Sequence, residues 1–428
     1  MNIKKYLRAA LVFFLLMIFY GNVFAGGTNP ITPRSTNGSI GNVSSVDSAN
    51  LSSKVNTVNT AVPFLRIDPD ARSGAMGDAG IAISPDANSG YWDNAKIPFA
   101  TQNLGLAVSY TPWLRALVND IYLAYLSGYY KIDDIQGINA SLRYFSLGSI
   151  SYTDANGMST GNGNPNEFSI DAGYSRKLAD HFAMGVTLRY IESNLANGQT
   201  VSGVTVSAAR AVAGDLDFYY EQPDAHISTV PINYAFGLTF TNIGNKISYT
   251  ANAVNEDYLP MNAGLGGQIT FKFDKYNELT LATDVNRLMV PTPDTTGESE
   301  NSGNIPTYKS LSVPQAIISS FYQAPGGLTE KLEEFTFSWG AEYWYNHQFA
   351  IRGGFFDENQ YKGDLKYLTA GIGIKYNVFG LNFAYLVPVN SQKNPLDNTL
   401  RFTLLFNFDA LKKVPKKPED GSTTPTTN

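Results

Sequence analysis

The chain has 428 residues, no cysteine, 16% charged and 13% aromatic residues, and a formal net charge of −6. The absent cysteine excludes a disulfide scaffold, a lipoprotein anchor and a thiolate site, and the mild, unpatterned acidity excludes a nucleic-acid surface. Charge is also well below the roughly 25% of ordinary soluble domains.

The first segment, "MNIKKYLRAALVFFLLMIFYGNVFA", carries Lys4, Lys5 and Arg8, then an apolar run from Ala9 to Tyr20, then Val23 and Ala25 at the spacing a signal peptidase reads. About twelve apolar residues are too few for a membrane span, which needs roughly twenty, so residues 1–25 read as a secretory signal. Residues 26–60 are rich in Ser, Thr, Asn and Gly and too polar to order themselves, so they read as a flexible leader.

Residues 61–101 contain "PFLRIDPDARSGAMGDAGIAISPDANSGYW", which sets Gly74, Gly77 and Gly80 among Arg66, Asp68, Asp70, Arg72 and Asp78. A phosphate loop needs Lys after its last glycine, and here Asp78 follows Gly77. The aspartates lack the alternation and closing Glu of a calcium loop, so no metal or other cofactor is expected. Two readings stay open for this stretch: a plug inside a wide lumen, or a plain connector.

From residue 102 to 408 the chain alternates apolar and polar residues with period two. "EFSIDAGYS" sets Phe168, Ile170, Ala172 and Tyr174 against Ser169, Asp171, Gly173 and Ser175, and "FAMGVTLRY", "INYAFGLTF" and "LRFTLLFNF" repeat the pattern. Such runs predict strands at 102–111, 121–130, 137–147, 166–177, 182–192, 214–221, 232–241, 259–273, 277–288, 335–346, 348–357, 365–376, 379–388 and 398–408. About fourteen strands of these lengths predict an all-β fold, a transmembrane antiparallel barrel. Arg143, Asp171, Arg189, Asp215, Asp217, Lys272, Asp284, Glu342, Arg352, Lys375 and Arg401 all fall on the polar parity. A bilayer selects that bias because Lys or Arg facing lipid at mid-depth costs about 2–4 kcal/mol. A soluble sandwich would alternate likewise, but it has no reason to alternate long connectors (148–165, 193–213, 242–258, 289–334) with short ones such as "LADH" and "NH".

A barrel of about fourteen strands is too wide for its own side chains to fill. In the plug reading, Arg66, Asp68, Asp70, Arg72 and Asp78 meet a lumen lined by Arg143, Asp171, Arg189 and Glu342. Aromatics such as Trp339, Trp344, Tyr343 and Tyr345 are expected in interfacial girdles. The end of the chain, 409–428, is a polar tail expected in the periplasm. His181, His226 and His347 are expected in short periplasmic turns, and no G-x-S-x-G or H-E-x-x-H occurs, so an enzyme is not expected.

"FLRIDPDARSGAMGDAGIAISPDANSGYWDNAKIPF", "SLRYFSLG" at 141–148, "AARAVAGDLDFYY" at 208–220 and the ending "LRFTLLFNFDAL" resemble the PorV (LptO) family of outer-membrane barrels, itself similar to the FadL fatty-acid transporter group. Where FadL-like chains often read Asn-Pro-Ala, this one has Asp93-Asn94-Ala95. The resemblance implies a FadL-like barrel with an N-terminal plug, in the outer membrane with both termini periplasmic. It implies a carrier for the type IX secretion system that takes cargo proteins bearing a C-terminal β-domain signal to a sortase-like attachment complex. It also implies pairing with the translocon barrel. The long outer loops are then expected to grip cargo, above all 289–334, whose "SVPQAIISSFY" would offer Ile317, Ile318, Phe321 and Tyr322 from an amphipathic helix. The alternative is a FadL-like transporter of hydrophobic solutes, whose path should be apolar rather than charged.

Overall fold

The structure, a computed structural model, describes residues 55–113, 120–153, 158–196, 198–201, 204–250, 256–293, 300–301, 305–389 and 399–408. The signal segment, most of the leader and the tail 409–428 lie outside these residues. Fourteen strands form a closed antiparallel barrel in sequence order. They are β1 (Leu104–Pro112), β2 (Ile121–Lys131), β3 (Gln136–Leu147), β4 (Asn166–Ala179), β5 (Phe182–Asn194), β6 (Ala209–Ile227) and β7 (Val230–Gly244). The second half comprises β8 (Asn262–Lys272), β9 (Asn277–Leu288), β10 (Thr336–Tyr345), β11 (Phe349–Glu358), β12 (Lys366–Tyr376), β13 (Phe379–Pro388) and β14 (Leu400–Asn407). Closure is made by β1 on β14, with Ala107 opposite Leu405, so no edge is left unpaired. Only β6 departs strongly from its expected span. It extends to Ile227 through a bulge between Gln222 and Ala225, where Pro223 and the positive-φ Asp224 break the period of two.

Alternation sorts the two faces. Leu188, Val212, Phe236 and Leu265 are 70, 57, 53 and 55% exposed on the outside, forming the belt a bilayer covers. Arg143, Asp171, Arg189, Asp215, Asp217, Asp284, Glu342, Arg352 and Arg401 are buried, while Lys272 and Lys375 are half-buried near the strand ends. Connectors of two to four residues gather at one end, among them 180–181, 228–229 and 346–348, and the long ones at the other. The 289–335 connector contains helices α1 (Val313–Tyr322) and α2 (Gly327–Glu333).

Aromatic rows edge the belt at both ends. Tyr110, Tyr122 and Tyr144 follow one another at 5.6 and 6.2 Å near the long connectors, and Phe337, Trp339 and Phe355 stack at 5.8 and 5.9 Å at the same level. Tyr220 and Tyr234 lie 6.3 Å apart at the opposite end. Trp344 is not part of a girdle. It shares the inward parity of Glu342 and lies beneath the Arg352 guanidinium at 5.4 Å, because residues two apart on a strand point the same way.

Residues 61–101 run inside the wall. They form short helical turns at Ala71–Gly74, Ser89–Trp92 and Asn94–Phe99, and Phe64, Ala71, Met76, Ala95 and Ile97 are fully buried there.

Candidate functional site

The luminal segment meets the wall through charges that the strands present at fixed height. The Asp70 carboxylate caps the Ala71–Gly74 turn, accepting from the backbone N–H of Arg72 and Ser73 at 2.9 and 3.2 Å. That turn aims Arg72 at β10, where its Nε and Nη2 donate to the two oxygens of Glu342 at 2.9 and 2.8 Å. The fork geometry makes this a strong, directional pair. Glu342 stands directly opposite Arg352 on β11 and also accepts from its Nε at 2.7 Å, so one carboxylate joins segment and wall.

Two further anchors flank it. Arg401 of β14 donates to Asp68 at 3.1 Å and Asp78 at 2.6 Å, and the Tyr367 hydroxyl donates to the second Asp78 oxygen at 2.6 Å. Asp284 of β9 accepts from the backbone N–H of Gly80 and Ile81 at 2.7 and 2.9 Å. The backbone turn at 76–77 fits because Gly354 has no side chain: a Cβ there would lie 2.1 Å from the Gly77 nitrogen. Gly77 itself has φ of 69°, a conformation that favours glycine.

Not every expected luminal residue reaches the segment. Asp171 and Arg189 face each other across β4 and β5 and bond within the wall, Arg189 donating to Asp171 at 2.6 Å and to Asp215 at 2.9 Å. Arg143 donates to the Leu65 carbonyl at 2.8 Å and stacks over Tyr91 at 4.6 Å. Arg66 is largely exposed and lies 3.7 Å from Glu358. Asp93 and Asn94, which the sequence marked only as a departure from Asn-Pro-Ala, and Lys96 form a buried floor. Asn94 donates to the Tyr174 and Val186 carbonyls at 3.1 and 3.0 Å, and Lys96 donates to the Gly80 carbonyl at 2.7 Å. Burial raises the Asp93 carboxyl above the ordinary carboxylate range, against the pull of Lys96, and lowers the Lys96 ammonium. Only Asp217 of β6, which accepts from the Asn94 backbone N–H at 3.2 Å, was signalled by polar parity; the floor residues carry no periodicity.

Above the floor, toward the long connectors, lies a cavity of about 670 Å³ lined by Phe64, Tyr91, Trp113, Phe145, Leu147 and Arg143 among others. His181 and His347 occupy short turns as expected, whereas His226 lies in the last residues of β6. Among the described residues no three His, Asp or Glu side chains converge to hold a metal. Of the expected cargo contacts, Ile317 packs inward against the cluster of Met261, Met289 and Ala316, while Ile318, Phe321 and Tyr322 are exposed.

The family described as type IX secretion system protein PorV matches residues 50–295, more than half of the chain. The chain belongs to the PorV family. Its place is therefore the outer membrane and its role lies within type IX secretion, in association with that system's components. Among solved structures, the toluene transporter TodX of Pseudomonas putida is similar at 11% identity and a TM-score of 0.42, covering 82% of this chain and 97% of its own. A FadL homologue of Pseudomonas aeruginosa is similar at 10% identity and a TM-score of 0.43, covering 82% and 99%. At that level neither says what this chain binds. No curated protein matches it in sequence.

Proposed function

We propose that this barrel is a non-enzymatic carrier of type IX secretion. It receives proteins with a C-terminal β-domain signal after they leave the translocon barrel and delivers them to a sortase-like attachment complex at the cell surface. The last strand ends on the short-connector side, which lies in the periplasm, and the long connectors face outward; the described chain starts among them, with Asn56 bonded to the Tyr361 and Pro293 carbonyls, and residues 61–101 act as a plug. The observation that favours this reading over solute transport is the network of buried ion pairs that ties the luminal segment to the wall. A transported apolar molecule would have to pass the Arg72–Glu342–Arg352 and Arg401–Asp68–Asp78 groups. Removing one partner from such a buried pair costs about 3–5 kcal/mol; groups held this firmly do not part for a passing apolar solute, so the cavity reads as a dead end.

Deleting the gene in the native host tests the reading. Cargo with C-terminal signal domains should accumulate in the periplasm while long-chain fatty-acid uptake is unchanged. Normal cargo display with lost uptake would overturn the carrier reading in favour of the transporter.

A further inference from the structure

We propose that helix α1 lies in the membrane interface at the long-connector end, with lipid as the occupant of its exposed apolar face. The proposal rests on the barrel's placement in a membrane and not on its cargo role. Strand parity locates the helix. On β8 and β9, Leu265 stands opposite Val285, and Ala263 opposite Arg287; Leu265 belongs to the lipid-facing belt. The ladder continues one step, with the Met289 N–H donating to the Met261 carbonyl at 2.7 Å. Met261, Ala263, Arg287 and Met289 therefore share the outward parity. Met261 and Met289 are nonetheless buried, and they pack in one cluster with Ala316, Val313 and Ile317 of α1. Helix α1 thus packs on the outside of the rim, whereas α2 reaches toward the mouth, where its Glu330 accepts from Asn56 and Lys362 at 3.0 and 2.5 Å.

Arg287 shows why α1 must lie outside. It is an arginine on the lipid-facing parity. It is neutralised by Glu334 at 2.7 Å, donates to the Ser320 carbonyl of α1, and stacks under Phe321 at 5.0 Å. The Phe335 ring lies 5.6 Å from the same guanidinium.

The opposite side of α1 is apolar as well. Ile318, Phe321 and Tyr322 follow the i, i+3, i+4 spacing of one helical stripe, and all three are exposed. This stripe continues the lipid-facing belt sideways. The aromatic row at this end, present as Tyr110, Tyr122 and Tyr144 and again as Phe337, Trp339 and Phe355, has no ring on β8 and β9, where Val285 and Leu265 stand in register with Phe337 and Ala263 and Arg287 follow one step nearer the connectors. Phe321 sets a ring over Arg287 beside that gap. An apolar helix stripe flanked by an aromatic girdle is the pattern of an interfacial helix. The sequence had assigned Ile318, Phe321 and Tyr322 to cargo; their position at the rim assigns them to lipid.

The cysteine-free chain permits a direct test. Single variants Ile318→Cys, Phe321→Cys and Tyr322→Cys carry a spin label, and the full-length protein is placed in vesicles of phosphatidylethanolamine and phosphatidylglycerol without cargo. Leu265→Cys supplies the lipid-facing reference, and Asp134→Cys the water-facing one, its side chain being 97% exposed. Labels at 318, 321 and 322 should collide severalfold more with oxygen than with a water-soluble nickel chelate, as at 265. Nickel access equal to that at 134 would overturn the proposal. So would shielding from both relaxants, which means a protein cover, or lipid-like values that appear only when cargo is added. Failure here leaves the carrier reading standing, because no cargo takes part. Should one variant fail to fold, the other two carry the test.

Discussion

At the residue scale, the central group is Glu342, a buried carboxylate shared by two arginines from different parts of the chain. Its removal leaves both Arg72 and Arg352 without their main counter-charge, and an uncompensated buried charge costs about 3–5 kcal/mol. Removing Arg72 is less severe, since Glu342 keeps Arg352 at 2.7 Å. Glu342→Ala should therefore lower urea stability in detergent micelles by about 3–5 kcal/mol, and Arg72→Ala by less. Equal losses, or none, would show that the shared carboxylate does not tie segment to wall. Glu342 was legible from strand parity alone, but its partner was not. Arg72 sits in a stretch without period, and only the Asp70-capped turn aims it at β10.

At the scale of elements, the strands were readable because each one has a lipid side and a lumen side. Period-two alternation records those two environments directly. The C-terminal end of β6 was read short because Pro223 and Asp224 interrupt that period at its bulge. The helix α1 was readable from its own spacing and from Ser312 with Gln315, whose Oε1 accepts from the Ser312 backbone N–H at 3.1 Å. Which side of α1 meets protein was not readable, since both of its stripes are apolar. The glycines of β11 separate the two faces experimentally. A Cβ on Gly354 would strike the Gly77 nitrogen, whereas one on its neighbour Gly353 meets nothing closer than the Thr369 carbonyl at 3.8 Å. Gly354→Val should therefore expose the 61–101 segment to added protease while the barrel still forms, and Gly353→Val should leave it protected. Equal protection in both variants would count against the close approach of residues 76–77 to the wall.

For the whole molecule, fourteen strands with β1 paired to β14 leave no free edge at which unfolding can begin. The unboiled protein should run differently on a detergent gel from the boiled one, and unchanged mobility would speak against closure. What the sequence determined alone was the class of solvent on either side of each strand, hence the barrel, its strand number and its membrane. Those properties follow from local alternation together with the succession of long and short connectors, both of which can be read without knowing any neighbour. Only the tertiary structure decided how the lumen is filled and on which side of the rim α1 lies. Arg72 and Glu342 are 270 positions apart, and an ion pair across such a separation leaves no periodic trace. Its geometry exists only once the wall has closed around the segment.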